Sequence, residues 1–255
     1  MHFWMSLLLA LLVSLLFSQP IRASDISKCS MVAEGRAEVV VIETELDDAR
    51  AVSVSGILLK PAGKGPFAAV LILPGTGGLV TPYCHGVLAE RFIRWGYAAL
   101  IVASTTAHDK DGNRLFEFSF ADQANQARGA VQTLAGLSDV DQERVAVWGF
   151  SRGGATAIEL STSRRDRARR FRAIVAAAPP CSSKIAVPHT PLLVIIGTDD
   201  ELLSAKACKD FAAKLKGERD FDFLLLPGAR HVFWMDPAAD EVSSRRMREF
   251  LKSHL

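Results

Sequence analysis

The sequence predicts an α/β fold: a mostly parallel central sheet with helices on both faces and no large lid. Three observations carry this expectation. Short apolar runs rich in β-branched residues recur along the chain, as strands buried on both faces require. Longer stretches with apolar residues at helical spacing alternate with them. No long insertion interrupts the series, and no internal repeat is present.

Residues 37–44 and 52–59 alternate like the arms of a hairpin, with Asp47 and Asp48 as turn residues between them, so the sheet is expected to open antiparallel. After the loop from Pro61 to Pro66, the run from Ala68 to Leu73 reads as a buried central strand that ends abruptly in Pro74-Gly75-Thr76-Gly77-Gly78. A helix is expected across His85 to Trp95, where Val87, Leu88, Phe92 and Trp95 fall at helical spacing and Gly96 stops it. Ala98 to Val102 is the next strand, and Ser104 to Phe120 is polar enough to form a loop over the sheet edge. Ala121 to Leu137 follows as a helix with Ala124, Ala127, Val131 and Leu134 facing the core. Then Val145 to Trp148 makes a short strand, Gly149-Phe150-Ser151-Arg152-Gly153 a turn, and Gly154 to Ser161 a helix. Strands at Ala173 to Ala177, Leu192 to Ile196 and Phe221 to Leu226, with helices near Ala205 to Leu215 and Asp240 to Leu251, complete the series.

The front of the chain reads differently. Phe3 to Phe17 is an apolar run followed by Ser18-Gln19-Pro20-Ile21-Arg22-Ala23, the pattern of a secretory leader cleaved near Ala23, although only His2 precedes the run where a Lys or Arg is usual. The run is short for a membrane span, so no stable membrane insertion is expected once the leader is removed. Residues 1–23 are therefore read as a signal peptide and 24–255 as a single domain of a secreted or periplasmic protein. The full chain carries 30 basic and 28 acidic residues, a balance that offers no steering toward nucleic acid. The basic run of Arg164, Arg165, Arg167, Arg169, Arg170 and Arg172 is interrupted by Asp166 and lacks interleaved aromatics, which suits a solvated helix end and loop. The four cysteines, Cys29, Cys84, Cys181 and Cys208, all follow the leader, and an even count in an exported chain favours disulfides, with three pairings open. No Cys-x-x-Cys spacing supports a zinc or redox site.

A serine hydroxyl is a poor nucleophile at neutral pH, so a reactive serine must be exposed, beside a base and near donors for the oxyanion it generates. Gly149-Phe150-Ser151-Arg152-Gly153 meets the first demand, because Gly-x-Ser-x-Gly between strand and helix holds its serine on a tight, strained turn. A serine so placed is followed in the chain by an acid and then a histidine. Of six histidines, His85 and His108 precede Ser151, His2 and His189 are poorly placed and His254 adjoins the terminus, which leaves His231 as the base. The acid is expected just beyond the strand from Leu192 to Ile196, where Asp199, Asp200 and Glu201 compete; Asp200 is preferred and Asp199 comes next. The oxyanion donors are expected to be the backbone N–H of Arg152 and that of Thr76, with Gly77 as its neighbour. A phosphate-binding reading of the Gly75 loop fails, because Val80 stands where the dinucleotide fingerprint needs glycine and no Gly-Lys-Ser/Thr occurs.

These residues resemble the dienelactone hydrolase family, a branch of the α/β hydrolases made of small, nearly lidless domains that act on lactones and esters. The likeness covers most of the chain after residue 50. It rests on Pro66 to Gly78, Leu88 to Val102 with its Arg94-Trp95-Gly96-Tyr97 turn, Asp139 to Gly154, Leu192 to Asp200, and Leu225 to Phe233. It implies the α/β-hydrolase fold, points to Asp200 as the acid three residues after the strand-closing glycine, and aligns Pro227-Gly228-Ala229-Arg230-His231-Val232-Phe233 with the family's histidine loop. It also implies a Cys181–Cys208 disulfide, which leaves Cys29 with Cys84. Two departures stand out: founding members carry cysteine where this chain has Ser151, and Pro74 occupies a position where related hydrolases often place a histidine.

The expectation is thus an exported Ser-Asp-His hydrolase that cleaves a small carboxylic ester or lactone through an acyl-enzyme, with no metal or organic cofactor. The alternatives are a peptidase or polysaccharide deacetylase on the same machinery, or a non-catalytic binding protein. The substrate-binding residues and the oligomeric state are not legible. His85, His108, Phe150 and Trp234 lie where loops gather at the carboxyl edge of the sheet, although packing or surface is the ordinary fate of such residues.

Overall fold

A computed structural model describes residues 26, 29–79, 85–104, 108–109, 119–164, 171–182 and 186–255. The expected leader, residues 1–23, and most of the basic run lie outside them. Among the described residues no helix is long and apolar enough to cross a membrane.

A short helix α1 (Ser30–Ala33) precedes strands β1 (Glu38–Glu45), β2 (Ala51–Leu59) and β3 (Phe67–Leu73), helix α2 (Gly86–Arg94) and strand β4 (Ala98–Val102). The two-residue strand β5 (His108–Asp109), helix α3 (Phe120–Ala135), strand β6 (Val140–Phe150), helix α4 (Arg152–Thr162) and strand β7 (Ala173–Ala177) follow. The chain ends with β8 (Leu192–Gly197), α5 (Ala205–Lys214), β9 (Phe221–Leu226), a 3-10 turn (Phe233–Met235) and α6 (Pro237–His254).

All nine of these strands join one sheet in the order β1-β2-β4-β3-β6-β7-β8-β9, with β5 paired to β2. The β1/β2 hairpin and the β2/β4 pair are antiparallel, and every neighbour pair from β4 to β9 is parallel. Alternation along each strand divides the core into two layers. Val70 and Ile72 of β3 join Trp148, Val175 and Ile195 beneath α2 and α6, whose Phe92, Met247 and Leu251 cover that face. Leu71 and Leu73 join Val147, Ile174 and Val194 beneath α3, α4 and α5, which contribute Ala127, Leu160 and Phe211. The chain leaves β3 toward β4 and returns on the other side as β6, so β3 and β6 flank the point where the strand order reverses. In open α/β sheets that is where the carboxyl ends of the strands leave a crevice for ligands.

Besides shifts of one to three residues at other element ends, such as α4 starting at Arg152 rather than Gly154, four details differ from the sequence-based expectation. β6 starts five residues before Val145, because the polar stretch Asp141 to Arg144 extends past the covered part of the sheet and pairs with the start of β3 across an irregular register. α3 starts at Phe120 rather than Ala121. His108 and Asp109, within the expected loop, pair with Ser53 and Val52. α6 starts at Pro237, three residues before Asp240, with Asp236 accepting from the Ala238 and Ala239 N–H groups and proline at the first helical position, where its missing N–H costs nothing.

Candidate active site

Ser151 stands between β6 and α4 with φ 53° and ψ −114°. A non-glycine residue held there costs on the order of 1–3 kcal/mol, so the surrounding packing must enforce it. It does so through two glycines. A Cβ on Gly149 would lie 2.0 Å from the Gly153 carbonyl oxygen, and one on Gly153 would lie 2.2 Å from that of Leu73. Only hydrogen at both sites lets α4 start this close to β6 and β3. The Ser151 N–H donates to the Ala177 carbonyl at 2.9 Å, which ties the turn to β7.

His231 follows β9 and Asp200 follows β8, and the structure brings them together. His231 Nδ1 lies 2.8 Å from Asp200 Oδ2, with side-chain exposures of 5% and 0%. Asp200 Oδ1 accepts from the N–H groups of Leu202 (3.0 Å) and Leu203 (2.8 Å), so both oxygens are engaged. Asp199 is directed elsewhere: its carboxylate accepts from the Thr198 hydroxyl at 2.8 Å. The two loops are joined at several points. A Cβ on Gly197 would lie 1.9 Å from the Ala229 carbonyl oxygen, the Gly228 N–H donates to Thr198 Oγ1, and Glu201 accepts from the His231 N–H at 3.1 Å and from Arg230 at 3.0 Å. The His231 N–H holds the Glu201 carboxyl below the usual carboxylate range, with Arg230 adding to the effect. Glu201 thus clamps the histidine's backbone while Asp200 holds its ring.

With Nδ1 facing a carboxylate, the neutral imidazole carries its proton on Nδ1 and presents the Nε2 lone pair. The ring lies 4.8 Å from that of Phe150, the residue before Ser151. Ser151 Oγ and the His231 ring make no direct hydrogen bond here, a contact that commonly closes only in a substrate complex.

The loop after β3 also reaches Ser151. A Cβ on Gly75 would be 3.2 Å from Ser151 Cβ, and the Gly78 N–H donates to the Gly75 carbonyl at 3.0 Å, leaving Thr76 and Gly77 exposed at the tip. Arg152 is the first residue of α4, where N–H groups lie ahead of the i→i−4 ladder. His85, itself at φ 58°, hydrogen-bonds the backbone of Gly78; burial nevertheless lowers its pKa, and the bond only partly offsets this. Beneath the site Phe150 meets Trp234 edge-on at 4.6 Å and stacks on Trp148 at 6.3 Å, and Trp148 reaches His85 at 6.5 Å. Of the four residues expected near the carboxyl edge, His85, Phe150 and Trp234 join this aromatic group, and the side chain of His108 lies outside the description. The places of Trp148 and Glu201 in the site were not anticipated from the sequence. Trp148 was legible only as a strand residue, and Glu201 only as a competitor for the acid position.

Cys181 and Cys208 form a disulfide that ties the segment after β7 to α5. Cys29 is disulfide-bonded as well, and its expected partner, Cys84, lies outside the described residues.

A mostly parallel sheet with a serine on a strained turn after β6, at the point where strand order reverses, is the α/β-hydrolase fold. The chain belongs to the dienelactone hydrolase family, whose model matches residues 54–255. Cutinase 1 of Thermobifida cellulosilytica is 27% identical over 180 residues, which make up 69% of this chain and 64% of that protein. Lipase 1 of Moraxella sp. is 25% identical over 147 residues, 57% of this chain and 42% of that protein. The chain thus spans less than two thirds of these relatives. Among solved structures, the Pyrococcus furiosus esterase Pf2001 superposes with a TM-score of 0.65 at 20% identity, covering 87% of this chain and 95% of the esterase. The dienelactone hydrolase-like promiscuous phosphotriesterase P91, from metagenomic libraries, gives 0.65 at 23% identity over 86% of this chain and 99% of its own. At such identities these structures establish the fold alone.

Proposed function

We propose that the protein is a serine hydrolase that cleaves a carboxylic ester or lactone through an acyl-enzyme. The observation that carries this reading is the buried Asp200–His231 pair set against Phe150 beside Ser151. In this mechanism His231 Nε2 removes the Ser151 proton as Oγ attacks the acyl carbon, while Asp200 holds the ring and stabilises the imidazolium. The N–H groups of Thr76 and Arg152 donate to the tetrahedral oxyanion. His231 then protonates the departing alkoxide, and a water activated by the same base releases the acid. Every proton is handled by these side chains, so the route requires no metal or organic cofactor. The cutinase, lipase and esterase names of its relatives support ester chemistry. Residues 24–255 act as a single domain in this reading, exported after removal of residues 1–23.

The test pairs a fluorophosphonate serine probe with a p-nitrophenyl ester series and a peptide amide. Wild-type protein should be labelled and should turn over esters, and Ser151→Ala should lose labelling with a drop in kcat of at least about 10³-fold. Labelling that survives Ser151→Ala would remove the nucleophile assignment. Amide cleavage without ester cleavage would favour a peptidase, and inactivity toward all substrates a binding protein.

A further inference from the structure

We propose that Gln123 is a positioning residue that sets the spacing between the two halves of the oxyanion hole. The inference rests on the serine-hydrolase reading above and deepens it.

Gln123 lies in the first turn of α3 and is 2% exposed, yet both ends of its amide are engaged. Nε2 donates to the Pro74 carbonyl at 3.1 Å and to Ser104 Oγ at 3.4 Å, and Oε1 accepts from the Thr156 hydroxyl at 2.8 Å. Thr156 is fully buried and its hydroxyl also lies 3.4 Å from the Arg152 carbonyl oxygen. Each partner has a particular place. Pro74 is the first residue past β3 and stands two residues before Thr76. Thr156 sits one helical turn beyond Arg152. A single amide therefore bridges the two backbone segments that carry the proposed donors, across the gap that Gly153 holds narrow.

The side chain suits this task chemically. One planar group offers a donor toward the loop and an acceptor toward the helix, a combination that neither a carboxylate nor an apolar residue provides. Its removal would leave the buried Pro74 carbonyl without this donor and the Thr156 hydroxyl without this acceptor, and such losses relax the segments that lean on them. The anchor itself is firm. Gln123 follows directly on the Ser119/Asp122 capping box, and Asp122 also accepts from the Asp47 N–H in the β1/β2 turn at 2.8 Å. The hole's geometry is thereby referred to the helix start and the hairpin rather than to the loop alone.

A misplacement of this kind weakens stabilisation of the oxyanion more than binding of the ground-state ester. In the full chain, with p-nitrophenyl acetate as substrate, the near-isosteric Gln123→Met should lower kcat by about 10- to 100-fold while KM changes less than about threefold. Thr156→Val should lower kcat in the same way, and Thr156→Ser, which keeps the hydroxyl, should restore most of it. Thermal unfolding of each variant separates this from a structural role, since the kcat loss should persist at temperatures where the variant is fully folded. If Gln123→Met keeps wild-type kcat, or loses activity only in step with KM or with its folded fraction, the proposal is overturned and the hydrolase reading stands. If Gln123→Met does not fold, the Thr156 pair decides: equal kcat for Thr156→Val and Thr156→Ser overturns it. A wild-type protein without Ser151-dependent labelling or turnover removes the hydrolase reading first, and this proposal with it.

Discussion

Asp199 and Asp200 are adjacent acids in one loop, and what separates them is direction. Asp200 has two backbone donors on one oxygen and the His231 ring on the other, whereas Asp199 faces the exposed Thr198 hydroxyl. The proposed mechanism therefore predicts unequal mutants. Asp200→Asn should lower kcat on p-nitrophenyl acetate by about 10³- to 10⁴-fold, because the amide no longer favours the Nδ1–H tautomer or the imidazolium. Asp199→Asn should stay within about twofold of wild type, as for an ordinary surface change. Steady-state kinetics on the pair checks both, and equal losses would contradict the geometry. At this scale the sequence narrowed the acid to three neighbours. Asp200 is preferred among them on the family resemblance, since local pattern does not set a side chain's direction in a loop, which depends on which segment packs against it.

At the scale of elements, two close fits invite substitution. Gly153→Ala places a methyl against the backbone of β3, which cannot yield as a side chain would, so a destabilisation of about 3 kcal/mol or more is expected in urea unfolding. The start of α3 offers a gentler test. Burial raises the Asp122 pKa, but the N–H groups of Asp47 and Ser119 and the Ser119 hydroxyl outweigh it, so the folded value lies below the ordinary one. Such a group stabilises the fold fully above its unfolded pKa, near about 4, and loses that contribution as pH falls through the folded value. Asp122→Ala should therefore cost about 1 kcal/mol at pH 7, with the gap to wild type narrowing in acid; a gap independent of pH would count against the capping box. The expected start at Ala121 falls one residue late because it groups Phe120 with the polar loop before it, whereas the Ser119/Asp122 capping box sets the first helical residue at Phe120. The polar half of β6 hid for a different reason: a strand that runs beyond its covering helices need not be apolar.

Across the whole molecule the Cys181–Cys208 disulfide closes a segment with a sequence separation of 27 and joins the connection between β7 and β8 to α5, the helix after Asp200. Loop-closure entropy assigns such a bond about 3.5 kcal/mol. The double variant Cys181→Ser/Cys208→Ser should accordingly unfold about 7–14 °C lower in calorimetry, and an unchanged midpoint would show that the bond is thermodynamically idle. The sheet itself was largely legible. Strands buried on both faces must be apolar throughout, so β3, β4, β7 and β8 stand out in any reading of the chain. The two-residue β5 did not, because so short a pairing leaves no periodic trace.

The sequence by itself determined the alternation of strands and helices, the glycine-flanked turn that holds Ser151, and the chain order of serine, acid and histidine, since each depends on local composition and spacing. Tertiary structure decided that the preferred Asp200 and not its neighbour meets His231, which aromatics gather under Ser151, and that Gln123 spans from the Pro74 loop to α4. These are contacts between segments 30 or more residues apart, as for Asp200 with His231 and Gln123 with Thr156. Their partners are chosen by how the sheet brings strand ends together, and no pattern within a single segment records that choice.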